Sequence, residues 1–142
     1  VNGPAVAARG EAVAVARYTQ GDDRARVQVA RSRDAGASFA APVVIDANDP
    51  VGRVDVAWLE DGSTVTSWIA RGERGVGTVM ARALRPNGTL ADAHAIAGTD
   101  VARRSGFPQM LHYGTGLLFA WTDLADDTQR VRATWVDGDA LR

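Results

Sequence analysis

The chain contains no cysteine and no lysine, and only two histidines and three glutamates in 142 residues. Lack of cysteine excludes disulfides, thiolate zinc sites and a cysteine nucleophile. The histidines, His94 and His112, stand apart, and neither H-x-x-x-H nor G-x-S-x-G spacing occurs, so zinc hydrolase and serine hydrolase readings lack support. No glycine-rich phosphate loop leads from a strand into a helix. No apolar run approaches the roughly 18 residues of a membrane span. Neither sign of charge dominates: 16 basic and 17 acidic residues give a formal charge of −1. That balance offers no electrostatic footprint for nucleic acid or an acidic membrane. All the basic residues are arginine, which suits a GC-rich bacterial genome because lysine codons are AT-rich. The chain begins at Val1 with no visible leader, so a processed or truncated chain is expected.

What is present is short, β-branched and punctuated. Ala12–Ala16, Arg26–Ala30, Thr64–Ile69 and Leu117–Trp121 are each bounded by Gly, Asp or Pro, the signature of strands. Arg130–Val136 alternates polar and apolar, as a half-buried strand does. The nearest approach to a helix, Leu90–Ile96, is too short and Ala-rich to carry that assignment. The fold class is all-β.

The segments recur. Val13–Tyr18, Val65–Ala70 and Leu118–Asp123 align at offsets of 52 and 53. Each has a strand ahead of it (Pro4–Ala8, Val54–Leu59, Pro108–Tyr113) and a third behind it (Arg26–Ser32, Gly77–Ala83, Arg130–Val136). A fourth follows twice, at Pro42–Ile45 and Ala93–Ala97. Tight turns such as Glu60-Asp61-Gly62 and Asn87-Gly88 join them. Four antiparallel strands in about 50 residues, repeated, describe a β-propeller blade. A β-sandwich of similar turn spacing is the competing architecture, and the matching order of the three units favours blades. Blade 1 is placed at about 3–48, blade 2 at about 52–99, and blade 3 at about 104–142 without its last strand.

Residues Ser32-Arg33-Asp34-Ala35-Gly36-Ala37-Ser38-Phe39 fall in the turn between the third and fourth strands of blade 1. This octapeptide resembles the Asp box of the bacterial neuraminidase repeat, S-x-D-x-G-x-x-[FW], found in sialidases and related propellers. The chemistry fits: Asp34 can accept from turn amides, Gly36 tolerates positive φ, and Phe39 is expected to tuck under the turn. Ser32, Asp34, Gly36 and Phe39 are thus structural candidates. Blade 2 keeps only the glycine and an apolar plug in Ala83–Leu90, and blade 3 only Val136–Leu141. Asp boxes also occur in non-catalytic propellers.

The resemblance implies a ligand face opposite the Asp box, built from loops between blades and loops joining second to third strands. Those loops hold Asp49, Arg53, Asp55, Asp100, Arg103 and Arg104, and then Tyr18, Asp22, Asp23, Arg24, Arg71, Glu73, Arg74, Asp123, Asp126 and Asp127. A sialidase likeness further implies three arginines on a sugar carboxylate, a Tyr–Glu nucleophile pair and an aspartic acid as acid/base. Guanidinium forks suit carboxylates, so Arg53 and Arg104, each just before an innermost strand, are the leading anion-binding candidates. Arg103, Asp55, Tyr18 and Asp23 complete the candidate ligand set. Neither Tyr18 nor Tyr113 can be paired with a glutamate from sequence, and only Arg104-Ser105-Gly106-Phe107-Pro108 echoes the family's Arg-Ile-Pro signature. The catalytic residues do not carry over, and any enzymatic activity would be that of an exo-sialidase-like glycoside hydrolase.

Each candidate has a plainer reading. Arginines at strand starts can tie blades together, as Arg53–Asp55 and Arg104–Asp123 would. Asp22-Asp23 and Asp126-Asp127 read as solvated loop carboxylates, with calcium ligation the alternative and no other cofactor or metal expected. Trp58, Trp68, Trp121 and Trp135 recur at strand positions and read as blade packing. The expected protein is a segment of a secreted or periplasmic bacterial propeller that recognises a glycan or other small anion. A non-catalytic module for protein interaction or assembly is the alternative. Since propellers close with at least four blades, three call for further blades of a longer chain or a homodimer completing a six-bladed ring.

Overall fold

The computed structural model describes residues 2–102, 105–124 and 128–142. Three separate antiparallel sheets follow one another along the chain. The first joins β1 (Ala5–Arg9), β2 (Ala12–Thr19), β3 (Arg26–Ser32) and β4 (Val43–Asp46) in that order. The second joins β5 (Pro50–Trp58), β6 (Thr64–Arg71), β7 (Val76–Leu84) and β8 (Leu90–Asp100). The third contains β9 (Gln109–Tyr113), β10 (Gly116–Asp123) and β11 (Arg130–Asp137), after which α1 (Gly138–Leu141) makes a single turn capped by Asp137. These are consecutive blades of a partial propeller. Leu90–Ile96, the helix-like stretch, lies wholly within strand β8.

Turn chemistry explains the meander. Gly10, at φ 60°, opens the two-residue loop between β1 and β2, and Gly114, at φ 61°, does the same between β9 and β10. Glycine at the first position of such loops matches the twist of the flanking strands. Elsewhere Asx side chains nucleate the turn: Asp61 accepts from Ser63 N at 2.9 Å, and Asn87 accepts from Thr89 N at 3.0 Å.

Packing lies between the sheets. Ala14, Ala16, Val27, Val29 and Ile45 of blade 1 bury against Val54, Val56, Trp68 and Leu84 of blade 2. Ala57, Val65, Ala81 and Ala83 of blade 2 bury against Met110, Leu117 and Phe119 of blade 3, with Leu141 of α1 closing the edge. At both junctions alanines (Ala14 and Ala16, then Ala57, Ala81 and Ala83) meet bulkier residues of the next blade (Trp68 and Leu84, then Met110, Leu117 and Phe119). Large and small residues therefore interdigitate, as dense packing requires.

This parity corrects one alignment. Ala14, not Val13, shares the facing of Val65, because both turn toward the following blade. The offset between β2 and β6 is thus an odd number and not 52, since a slip of one residue exchanges the two faces of a strand. Thr66 and Phe119, in contrast, keep the expected offset of 53 and both turn back toward the preceding blade.

Candidate functional site

Alternation of strand direction sends two sets of connections to opposite ends of the blades. The Ser32–Phe39 turn lies at one end. Ser32 is buried, and its Oγ accepts from Asp34 N (3.2 Å) and Gly36 N (2.9 Å) while donating to Asp34 Oδ1 (2.7 Å). Asp34 in turn accepts from Ser38 N (2.8 Å) and from the Ser38 hydroxyl (2.5 Å). The Ser38 and Ser32 hydrogen bonds pull the Asp34 carboxyl down to about 2. Gly36 takes φ 88° as required. The Phe39 ring lies against the turn, with its Cε2 4.0 Å from where a Gly36 Cβ would stand, while the residue as a whole is 44% exposed and lines the outer face of blade 1, where no sheet covers it.

The other end carries the candidate ligand residues. Asp49 and Arg53 both adopt left-handed backbone (φ 49° and 55°) on either side of Gly52 (φ 94°). Gly52 is obligatory twice over, since a Cβ there would stand 2.9 Å from the Asn2 side chain and from Tyr18 Cδ2. The strained loop is held by Asn2, which accepts from Arg53 N (2.9 Å) and donates to Val51 O (3.1 Å). Tyr18, Asn2, Gly52 and Arg53 are thus gathered where blades 1 and 2 meet, with the Arg71–Asp49 ion pair (3.2 Å) alongside.

Arg53 is 7% exposed, and its guanidinium is committed to the next connection. Nη2 donates to Val101 O (2.8 Å) and Ala102 O (2.9 Å), and Nη1 donates to Gly106 O (3.1 Å) and the buried Ser105 Oγ. Burial lowers the pKa of Arg53, and Asp100 opposes that shift. The Ser105 hydroxyl also faces Asp100 O (2.7 Å) and Ala102 O (2.8 Å). Asp55, two residues on, accepts from Val56 N (2.9 Å) and, across the blade junction, from Met110 N (2.7 Å). Burial raises its pKa, and these two amide bonds partly offset the rise. Both residues therefore fasten blade 2 to the chain that leads into blade 3, Asp55 through an amide and Arg53 through three carbonyls and the Ser105 hydroxyl, and not through one another.

The remaining candidates are more dispersed. Asp22 and Asp23 sit in an exposed one-turn 3-10 segment with φ 56° and 57°, and Asp22 pairs with Arg26 at 3.5 Å. Among the described residues no three carboxylate or imidazole groups come together as a metal-binding cluster. Asp123 pairs with Arg132 at 2.5 Å. Arg103, Arg104, Asp126 and Asp127 lie outside the described residues. Three of the four tryptophans bond within the fold: Trp58 to Ala7 O (3.2 Å), Trp68 to Asp46 Oδ2 (2.8 Å) and Trp135 to Tyr113 O (3.0 Å). Asn2 and Ser105 emerge as organisers that sequence reading passed over, since neither sits in a recurring motif.

No protein-family model and no curated protein sequence matches the chain. Solved structures do. The Hadza microbial sialidase Hz136 superposes with a TM-score of 0.63 at 14% identity, over 98% of this chain and 33% of its own. A protein of Bacteroides ovatus ATCC 8483 described as a glycoside hydrolase superposes with a TM-score of 0.52 at 18% identity, over 95% of this chain and 46% of its own. The chain therefore spans less than half the length of either, and at these identities the likeness is one of fold. Among the described residues no helix is long and apolar enough to cross a membrane.

Proposed function

We propose that this chain is the three-blade portion of a secreted bacterial carbohydrate-recognising propeller, with its ligand at the rim opposite the Ser32–Phe39 turn. The observation that carries this reading is the rim itself: a strained, tightly braced junction where Tyr18, Asn2, Gly52 and Arg53 converge, in a fold shared with a sialidase. In this reading the octapeptide turn is an Asp box with a purely structural task. Arg53 acts as a positioning residue, because its four hydrogen bonds hold positions 101, 102, 105 and 106, which flank Arg103 and Arg104 in sequence. Those two arginines are the proposed anion contacts, with Tyr18 offering an aromatic wall and Asp23 and Asp55 lying at the same end of the blades. Glycoside hydrolysis, if the whole protein performs it, takes further residues from outside these three blades.

Isothermal titration with N-acetylneuraminic acid tests the reading, with neutral galactose as the control. Binding of the acid alone, weakened about tenfold or more in Arg104→Ala, is the expected result, since a charge-assisted hydrogen bond contributes about 1.5–3 kcal/mol. Equal binding of both sugars, or an unchanged affinity in both Arg103→Ala and Arg104→Ala, would overturn it.

A further inference from the structure

The end of the blades that carries the Ser32–Phe39 turn gathers arginines with no carboxylate partner. Arg9 Nη1 donates to Leu59 O (2.6 Å) and Glu60 O (2.9 Å), and Arg31 Nη1 donates to Leu84 O (3.5 Å) and Arg85 O (3.1 Å). Every one of these acceptors is a carbonyl of blade 2, so the two arginines brace the junction while keeping their charge uncompensated. Among the described residues, none of Arg9, Arg31, Arg33 and Arg85 takes part in an ion pair.

Arg31 and Arg33 line one cavity of about 390 Å³, together with Ser32, Asp34, Ser38 and Ala40. Its walls come from blade 1 and the brace on Arg31 from blade 2, so the cavity is built within these two blades. The Nε–Nη2 edge of Arg31 and the whole guanidinium of the exposed Arg33 make no hydrogen bond among the described residues. Asp34 lines the same cavity, yet its oxygens accept from Ser32 and Ser38 and form no ion pair with either arginine. Burial lowers the pKa of Arg31, and the charge of Arg33 lowers it further, the mark of like charges set close together.

Two guanidinium forks sharing one polar cavity suit a ligand with several anionic oxygens. A planar carboxylate has two, enough for one fork. A tetrahedral group offers at least three and can engage both. We propose that Arg31 and Arg33 bind a tetrahedral oxyanion, a sulfate or phosphate group, either free or carried as an ester on a sugar. Arg31 precedes the octapeptide and Arg33 occupies one of its variable positions, so Ser32, Asp34, Gly36 and Phe39 keep their structural task. The seat lies at the opposite end of the blades from the rim and stands independently of the rim reading.

An amide chemical-shift titration with sodium sulfate, at an ionic strength held constant with sodium chloride, tests it. Saturable shifts at Arg31, Arg33 and Ser38 are the expected result. Arg33→Ala removes an exposed side chain that bonds to nothing described, so the strand amides should keep their positions while sulfate affinity falls about tenfold or more. N-acetylneuraminic acid, a planar carboxylate, should leave the same amides unmoved. A galactose sulfate ester run beside inorganic sulfate separates the two sources. Tighter binding of either supports the seat, and the order says whether it is built for an ester or for the free ion. Shifts that rise without saturating would reflect charge screening alone and would overturn the proposal. So would wild-type affinity in Arg33→Ala, or equal shifts with N-acetylneuraminic acid.

Discussion

Asp34 shows how a fully exposed carboxylate can still be specified. Its two oxygens take three hydrogen bonds, from the Ser32 hydroxyl, Ser38 N and the Ser38 hydroxyl, all of which favour the ionised form. A carboxyl whose folded pKa is depressed contributes stability above its unfolded value and loses it as pH falls through the folded one. The turn should therefore stay closed near pH 4 and loosen toward pH 2, where Asp34 titrates at about 2. An NMR titration of its side-chain carbon should give that midpoint, and a midpoint near 3.8 would show that the hydrogen bonds are not made. Asp55 runs the other way. Its buried carboxylate accepts two amides, so Asp55→Asn must turn an NH2 group toward Val56 N or Met110 N. Leaving a buried amide unpaired costs about 1–3 kcal/mol, which urea unfolding should register as a lower midpoint with unchanged slope. Arg53 was legible as a basic residue at a blade start. Its commitment to four loop oxygens was not, because three of them are carbonyls, which leave no mark in the sequence, and the fourth is the Ser105 hydroxyl, 52 residues away.

At the level of elements, the hairpins carry the constraints that substitution will find. Gly116 opens β10 opposite Asp137, and a Cβ there would collide with Val136 O, a backbone atom that cannot step aside. Gly116→Ala should therefore break the β10–β11 pairing, seen as loss of amide exchange protection in both strands, whereas Gly88→Ala meets no atom within 4 Å and strains only a φ of 86°. Protection retained in Gly116→Ala would show that blade 3 pairs differently. The strands were readable from β-branched runs between turn residues, and two of the tight turns from Glu60-Asp61-Gly62 and Asn87-Gly88. The facing of β2 was not. Both faces of each blade are apolar, so residue type alone aligned Val13 with Val65, while packing selects Ala14. How far Phe39 is covered depends on whether another sheet lies over blade 1, which no local pattern encodes.

For the whole molecule, the fold was recoverable because four-strand units repeat in order, and a repeat survives where pairwise identity to known structures has fallen to 14–18%. The candidate site was recoverable only as a location. Topology sends Tyr18, Arg53, Asp55 and residues 101, 102 and 105–108 to one end of the blades. The organisers act between segments roughly 50 residues apart, beyond any motif: Asn2 accepts from the Arg53 amide, and the Ser105 hydroxyl accepts from the Arg53 guanidinium. The central claim is that the ligand occupies this rim. Amide chemical-shift mapping with N-acetylneuraminic acid tests it most directly. Shifts concentrated at Asn2, Tyr18, Asp49, Gly52 and Arg71, with Ser32–Phe39 silent, are the predicted result. Shifts centred on the Ser32–Phe39 turn, or no shifts at saturating sugar, would contradict it.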